Sequence, residues 1–185
     1  WLITDLAIMT LGAVSVPLFS NIPQSIFKFQ IEHAKIQTLI VAKLKGLEAY
    51  QQEIANTKCV VACSMEEGTS ATHSLEDVLA LGKSLDTRNP NLYEQTLKEV
   101  KEDDLASIVY TSGSSGIPKG VEITHKNFVS QIHGASKCFP LNLKNKALVL
   151  LPPEHVFQRM LLLYYLSAGV SIYFADKSTK IGDYF

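Results

Sequence analysis

Short apolar runs alternate along this chain with segments whose apolar residues recur every three or four positions, and that alternation leaves few folds open. Thr38–Ala42 (TLIVA) and Cys59–Ala62 (CVVA) are continuous apolar stretches of strand length, the pattern of strands buried on both faces. Around them the spacing is helical. Trp1–Val14 reads as an apolar-rich helix. Asn21 and Pro23 stand at the start of a second helix, continued by Ile26, Phe27, Gln30, Ile31 and Ala34, and Lys43–Ala55 suits a third. VSVPLF (Val14–Phe19) reads as a short strand whose Pro17 favours a sheet edge. Ser74 with Asp77 has the pattern of a capping box ahead of a helix over Leu75–Leu81. Strand-like runs at 106–111, 121–124, 147–151 and 171–174, with helical ones at 125–138 and 155–167, complete the series. Such alternation predicts an α/β fold with largely parallel sheet layers.

Composition decides what that fold can hold. Of 185 residues, 46% are hydrophobic and 19% charged, enough apolar material for a real core. From Thr87 to Asp104 the chain turns polar with mixed charge, which marks a surface connector with a little helix. It divides a first α/β segment, 1–86, from a second, 105–185. A net charge of −1 supplies no bulk field for nucleic acid or an anionic membrane, so any anion binding must be local. Cys59, Cys63 and Cys138 show no zinc-site spacing and read as buried small hydrophobes in a reducing compartment. The longest apolar run, Met160–Ala175, is shorter than the ~20 residues of a bilayer span, and Ser167 and Gly169 break it where a helix would hand over to a strand. No basic leader is visible. Opening on Trp1 and stopping at KIGDYF, the sequence is expected to be a piece of a longer protein.

Within the second segment, IVYTSGSSGIPKGVEIT (Ile108–Thr124) concentrates the chemistry. Gly113, Gly116 and Gly120 let main-chain N–H groups approach a ligand closely, and inward-turned N–H groups form an anion nest. Thr111, Ser112, Ser114 and Ser115 add hydroxyl donors. Pro118 stiffens the exit and pushes Ile117 toward an extended conformation. Lys119 supplies one cation, whose charge-assisted hydrogen bond is worth about 1.5–3 kcal/mol. The set fits a polyphosphate. A Walker A loop requires G-x-x-x-x-G-K-[ST] running into a helix, whereas here Gly120 follows Lys119 and VEIT alternates as a strand. A Gly/Ser cluster is often only a surface turn, but the flanking strands, Pro118 and Lys119 weigh against that.

YTSGSSGIPKGVEITHKN resembles the AMP-binding signature of the adenylate-forming enzymes, which include acyl-CoA synthetases, luciferases and peptide-synthetase adenylation domains. The resemblance implies an ATP-phosphate loop over Thr111, Ser112, Gly113, Ser114, Ser115, Gly116 and Lys119. Glu122 stands where the family more often has an apolar or smaller residue. LLPPEHVFQRM (Leu150–Met160) is similar to the family's next motif, in its long-chain fatty acyl-CoA synthetase form. There Pro152 and Pro153 end a strand, and His155, Phe157 and Arg159 start a helix near the nucleotide. The resemblance implies that His155 and Phe157 border the acyl pocket, with His155 ordering the site and Lys119 acting in catalysis. Gln158 replaces the usual acid. DLAIMTLGAVSVPLFSNIPQSIFKFQIEHAKIQTLIV (Asp5–Val41) resembles the family's early α/β unit.

Carried over as a whole, the resemblance implies the N-terminal domain of an ATP-dependent, AMP-forming fatty acid–CoA ligase. Its partners would be fatty acid, ATP and coenzyme A, with Mg2+ assisting, and nucleic acid would not be one. The expected location is the cytoplasm, with peripheral membrane contact of the full-length protein left open. No Y-G-x-T-E or later T-G-D motif and no metal ligand set occurs in these residues, so the isolated piece is expected to be inactive. Two other readings stand beside it: an adenylation domain for another carboxylic acid, and a non-catalytic nucleotide-binding domain.

Overall fold

A computed structural model describes residues 1–45, 47–65, 71–111 and 117–175. The first segment opens with helix α1 (Leu2–Thr10), shorter than the expected Trp1–Val14. Gly12 sits at φ 70°, a left-handed turn that halts the helix, and the Gly12 and Ala13 N–H groups close onto the carbonyls of Met9 and Ile8. The chain then runs past Ser15, where the expected strand is reduced to one parallel bridge to Ser107. Ser15 receives an N–H bond from Ile108 and donates its own to Ala106, at 3.1 and 2.9 Å; Pro17, lacking an N–H, cannot prolong the ladder.

Helix α2 (Gln24–His33) starts directly after Pro23 and buries Phe27, Gln30 and Ile31 on one side. It ends on Lys35 at φ 51°, again with paired bonds, from Lys35 to Glu32 and Ile36 to Ile31. Strand β1 (Thr38–Val41) follows. The expected helix over Lys43–Ala55 is replaced by a 3-10 turn at Glu48–Tyr50 and the short α3 (Gln51–Ala55). The turn draws Tyr50 inward, where its hydroxyl reaches the Ile22 carbonyl at 2.5 Å and its ring meets Phe27 edge-on at 4.9 Å. Strand β2 (Cys59–Ala62) pairs in parallel with β1, and β3 (His73–Ser74) with β2. Cys59 is only half-buried, while Cys63, one residue past β2, and Cys138 are exposed, so the cysteines are free but are not core residues.

Ser74 and Asp77 form the expected capping box, which holds the Asp77 carboxyl below its usual value through hydrogen bonds from Ser74. Helix α4 runs from Leu75 to Arg88, about two turns beyond the expected Leu81. Helix α5 (Leu92–Glu99) occupies the polar connector without burying a residue, in keeping with its composition.

Strands β4 (Leu105–Thr111) and β5 (Lys119–Thr124) form an antiparallel hairpin. Thr124 and Asn127 cap helix α6 (His125–Cys138) with a second capping box. Strand β6 (Lys146–Val149), helix α7 (Val156–Ser167) and strand β7 (Ser171–Phe174) make a βαβ unit in which β6 and β7 are parallel. α7 ends as α1 does, with Gly169 at φ 69°. The fold is α/β, with parallel pairing within the β1–β2–β3 sheet, between β6 and β7 and at the Ser15 bridge. One core gathers Phe27, Ile31 and Leu39 under α2; another gathers Met9, Ala106, Phe128 and Leu163 between α1, β4, α6 and α7. No helix among the described residues is long and apolar enough to cross a membrane.

Candidate functional site

The hairpin sets the geometry of the glycine- and serine-rich stretch. β5 begins at Lys119, two residues before the expected start, so the lysine is a strand residue and not part of the turn. Its register partner is Thr111, the last residue of β4. Directly opposed residues of an antiparallel pair project from the same face, so hydroxyl and ammonium share one side of the end where the glycine- and serine-rich stretch joins the strands. Both are exposed, and Lys119 has no ion-pair or hydrogen-bond partner among the described residues. Ser112, Gly113, Ser114, Ser115 and Gly116 lie outside the described residues. Glu122, opposite Ile108, is exposed.

Gly120 pairs with Tyr110, and a side chain there would meet Ile108 Cγ2 at 3.0 Å and the Tyr110 ring at 3.4 Å. The phenol therefore lies across the exit of the stretch as well as at its entry. Burial raises the Tyr110 pKa above its ordinary value, keeping the hydroxyl neutral.

The second motif divides at the start of α7. His155 is the N-cap residue, exposed and making no side-chain cap bond; its main chain joins Pro152 and Arg159. Phe157, 53% exposed, lines a cavity of about 630 Å³ with Met160, Leu161 and Tyr164 of α7 and Ala135 and Cys138 of α6. His155 is not among the cavity's lining residues. Among the described residues no hydrogen bond joins Lys119 to His155.

Arg159, expected at the start of this helix, is fully buried, with Nε and Nη2 each donating to the Asp5 carboxylate at 2.8 Å. Nη1 donates to Ser107 Oγ at 2.5 Å, and Ser107 Oγ in turn donates to the Ser15 carbonyl at 2.6 Å. Ser15 Oγ completes the set by donating to Asp5 at 2.5 Å, and the Phe128 ring lies 5.0 Å from the guanidinium carbon. An arginine out of water must keep its charge matched, and the bidentate carboxylate does this. Burial pushes its pKa down from the ordinary value, and Asp5 counters that. The network joins the strand that leads into the first motif to the helix that carries the second. Motif reading missed it, although single charges inside the apolar stretches LITDLAIMT and FQRMLLLYYL were its visible signal.

The chain matches the family described as AMP-binding enzyme over residues 1–183. It is 29% identical to long chain acyl-CoA synthetase 6, peroxisomal, of Arabidopsis thaliana, over 99% of this chain and 27% of that protein. It is 27% identical to the human long-chain-fatty-acid–CoA ligase ACSBG2, over 98% of this chain and 28% of that protein. It thus spans about a quarter of the length of the curated relatives it matches. In fold it is similar to ATP-bound MatB from Rhodopseudomonas palustris, with a TM-score of 0.68, 18% identity, and coverage of 99% of this chain and 34% of that one. O-succinylbenzoate coenzyme A synthetase from Bacillus subtilis, in complex with ATP and magnesium ion, gives a TM-score of 0.68 at 17% identity, over 99% of this chain and 33% of that one. At those identities the likeness is one of fold. The chain belongs to the AMP-binding enzyme family of adenylate-forming proteins.

Proposed function

We propose that this chain supplies the phosphate-binding and acyl-side parts of an ATP-dependent, AMP-forming ligase that joins a long-chain fatty acid to coenzyme A. The observation that carries the proposal is Lys119 standing opposite Thr111 at the mouth of the hairpin, without a side-chain partner among the described residues. A cation and a hydroxyl on one face, bracketing the stretch SGSSG, suit the oxygens of a triphosphate. In this reading Thr111, Ser112, Gly113, Ser114, Ser115, Gly116 and Lys119 hold the phosphates. The fatty acid carboxylate attacks the α-phosphorus, the bond to the β-phosphate oxygen breaks, and pyrophosphate leaves the acyl-adenylate. The coenzyme A thiolate then attacks the acyl carbon and AMP departs. Lys119 neutralises charge that develops on the phosphates. Phe157 and the apolar cavity behind it offer room for an acyl chain, with His155 at the head of the same helix. The names of the curated relatives support a long-chain acid.

Magnesium is typical of such chemistry, but among the described residues no cluster of three acidic, histidine or cysteine side chains could hold a metal. No step here depends on it. Lys119→Ala in the full-length protein should slow acid-dependent ATP–pyrophosphate exchange; an unchanged rate would remove the phosphate assignment. The 185 residues alone should form no acyl-CoA, and turnover by them would refute that. The adenylation of another acid remains the second reading, because the fold is shared with the synthetase for O-succinylbenzoate. Exchange rates measured with a series of acids separate the two.

A further inference from the structure

The Tyr110 ring that covers Gly120 is itself held from a distant part of the chain. His33, the last residue of α2, brings Nδ1 to 2.8 Å from the Tyr110 hydroxyl, across 77 sequence positions. Phe29, one helical turn earlier, stacks on the imidazole at 5.1 Å and meets the Tyr110 ring edge-on at 6.1 Å. Tyr110 is 6% exposed, so its ring is fixed by packing as well as by the hydrogen bond. Its chain neighbour is Thr111, and the glycine beneath its ring is the neighbour of Lys119. One aromatic side chain therefore touches the strand on both sides of the hairpin mouth, and one histidine sets where that side chain lies.

We propose that His33 is a positioning residue for the phosphate site: through Tyr110 it holds Thr111 and Lys119 at the separation that a triphosphate requires. The inference rests on the reading of the hairpin mouth as that site. His33 touches no substrate group in this account. It acts by keeping two donors in place before ATP arrives, so that less of the binding free energy goes into ordering them. A role in general stability would lower activity toward acid and ATP alike; positioning of the phosphate donors falls on ATP.

The test uses the full-length enzyme and acid-dependent ATP–pyrophosphate exchange, with KM for ATP, KM for the acid and kcat measured separately. His33→Phe keeps a ring and removes the hydrogen bond, and Tyr110→Phe removes only the hydroxyl, so packing survives in both. Each should raise KM for ATP about three- to tenfold, the worth of one net hydrogen bond, and leave KM for the acid unchanged. The double variant should be no worse than either single one, because both delete the same bond. His33→Asn, whose amide can stand near the place of Nδ1, should restore most of the ATP affinity. Equal shifts in both KM values, additive effects in the double variant, or an unaltered KM for ATP would overturn the proposal. Lys119→Ala measured alongside separates the two levels. If it leaves exchange untouched, the phosphate site itself is misplaced. If it slows exchange while the His33 and Tyr110 variants leave KM for ATP alone, only the role of His33 fails.

Discussion

The core under α2 and the core around Arg159 are held together by different physics. Phe27, Ile31 and Leu39, with Leu18, Ile22, Ile36, Val41, Tyr50 and Ile54 packed on them, come from one stretch of sequence and meet through apolar surface. Burial of such surface is non-directional and is worth about 25 cal/mol per Å², so the group needs bulk and rough shape complementarity more than exact orientation. Around Arg159 the polar participants are Asp5, Ser15 and Ser107, up to 154 positions away, joined by directed hydrogen bonds, with the Phe128 ring packed on the guanidinium. A buried ion pair adds little net stability over an apolar equivalent, because both charges lose their water. Its hydrogen bonds are directional, so they relate Asp5, Ser107 and Arg159 in orientation as well as distance. Apolar packing forms the core under α2; the charged network ties Ser107 of β4 to Arg159 of α7.

The largest test of that contrast removes one member of the network. Arg159→Met or Asp5→Asn in the full-length protein should each cost about 3–5 kcal/mol, since each leaves its buried partner unmatched. Replacing both with apolar residues should recover most of the loss in urea unfolding. Small losses from the single variants would show that the two cores do not differ in kind.

In the apolar core the expected losses are graded. Ile31→Val removes one methylene group from the cluster and should cost about 0.5–1.5 kcal/mol by the same measurement. A loss as large as that of a charge deletion would mean that this core, too, depends on exact fit.

The smallest effect is a gain. Lys35 holds a left-handed backbone conformation that disfavours a side chain, while the Ile36 that follows packs into the same core. Lys35→Gly should stabilise by about 0.5 kcal/mol, the relief of strain being partly offset by the added freedom of glycine when unfolded. A loss on thermal melting would show that the turn is held by contacts of the lysine side chain.

The strands that flank the candidate site were legible because their signals are local. SGSSGIPKG between two strand-like runs predicts that the runs pair, though the start of β5 at Lys119, and with it the pairing to Thr111, came only from the structure. The start of α4 was readable for a similar reason: Ser74 and Asp77 cap within four residues of each other. Errors arose where a long-range contact overrode a local tendency. Ser15 has neighbours suited to a strand, yet only one bridge forms beside Ser107 before Pro17 removes a donor. Residues 43–55 alternate like a helix, yet Tyr50 is pulled into the core and tightens the turn.

By itself, then, the order of residues determined the α/β class, the antiparallel hairpin, the Ser74 cap and the family, since each depends on propensity, periodicity or a contiguous motif. Tertiary structure alone decided that Arg159 turns inward to Asp5, that Phe157 borders the cavity without His155, and that His33 reaches Tyr110 beside the hairpin mouth. The physical reason is range. Backbone hydrogen bonds within an element join residues a few positions apart, whereas the partner of a buried charge or ring is chosen only when distant segments pack and exclude water.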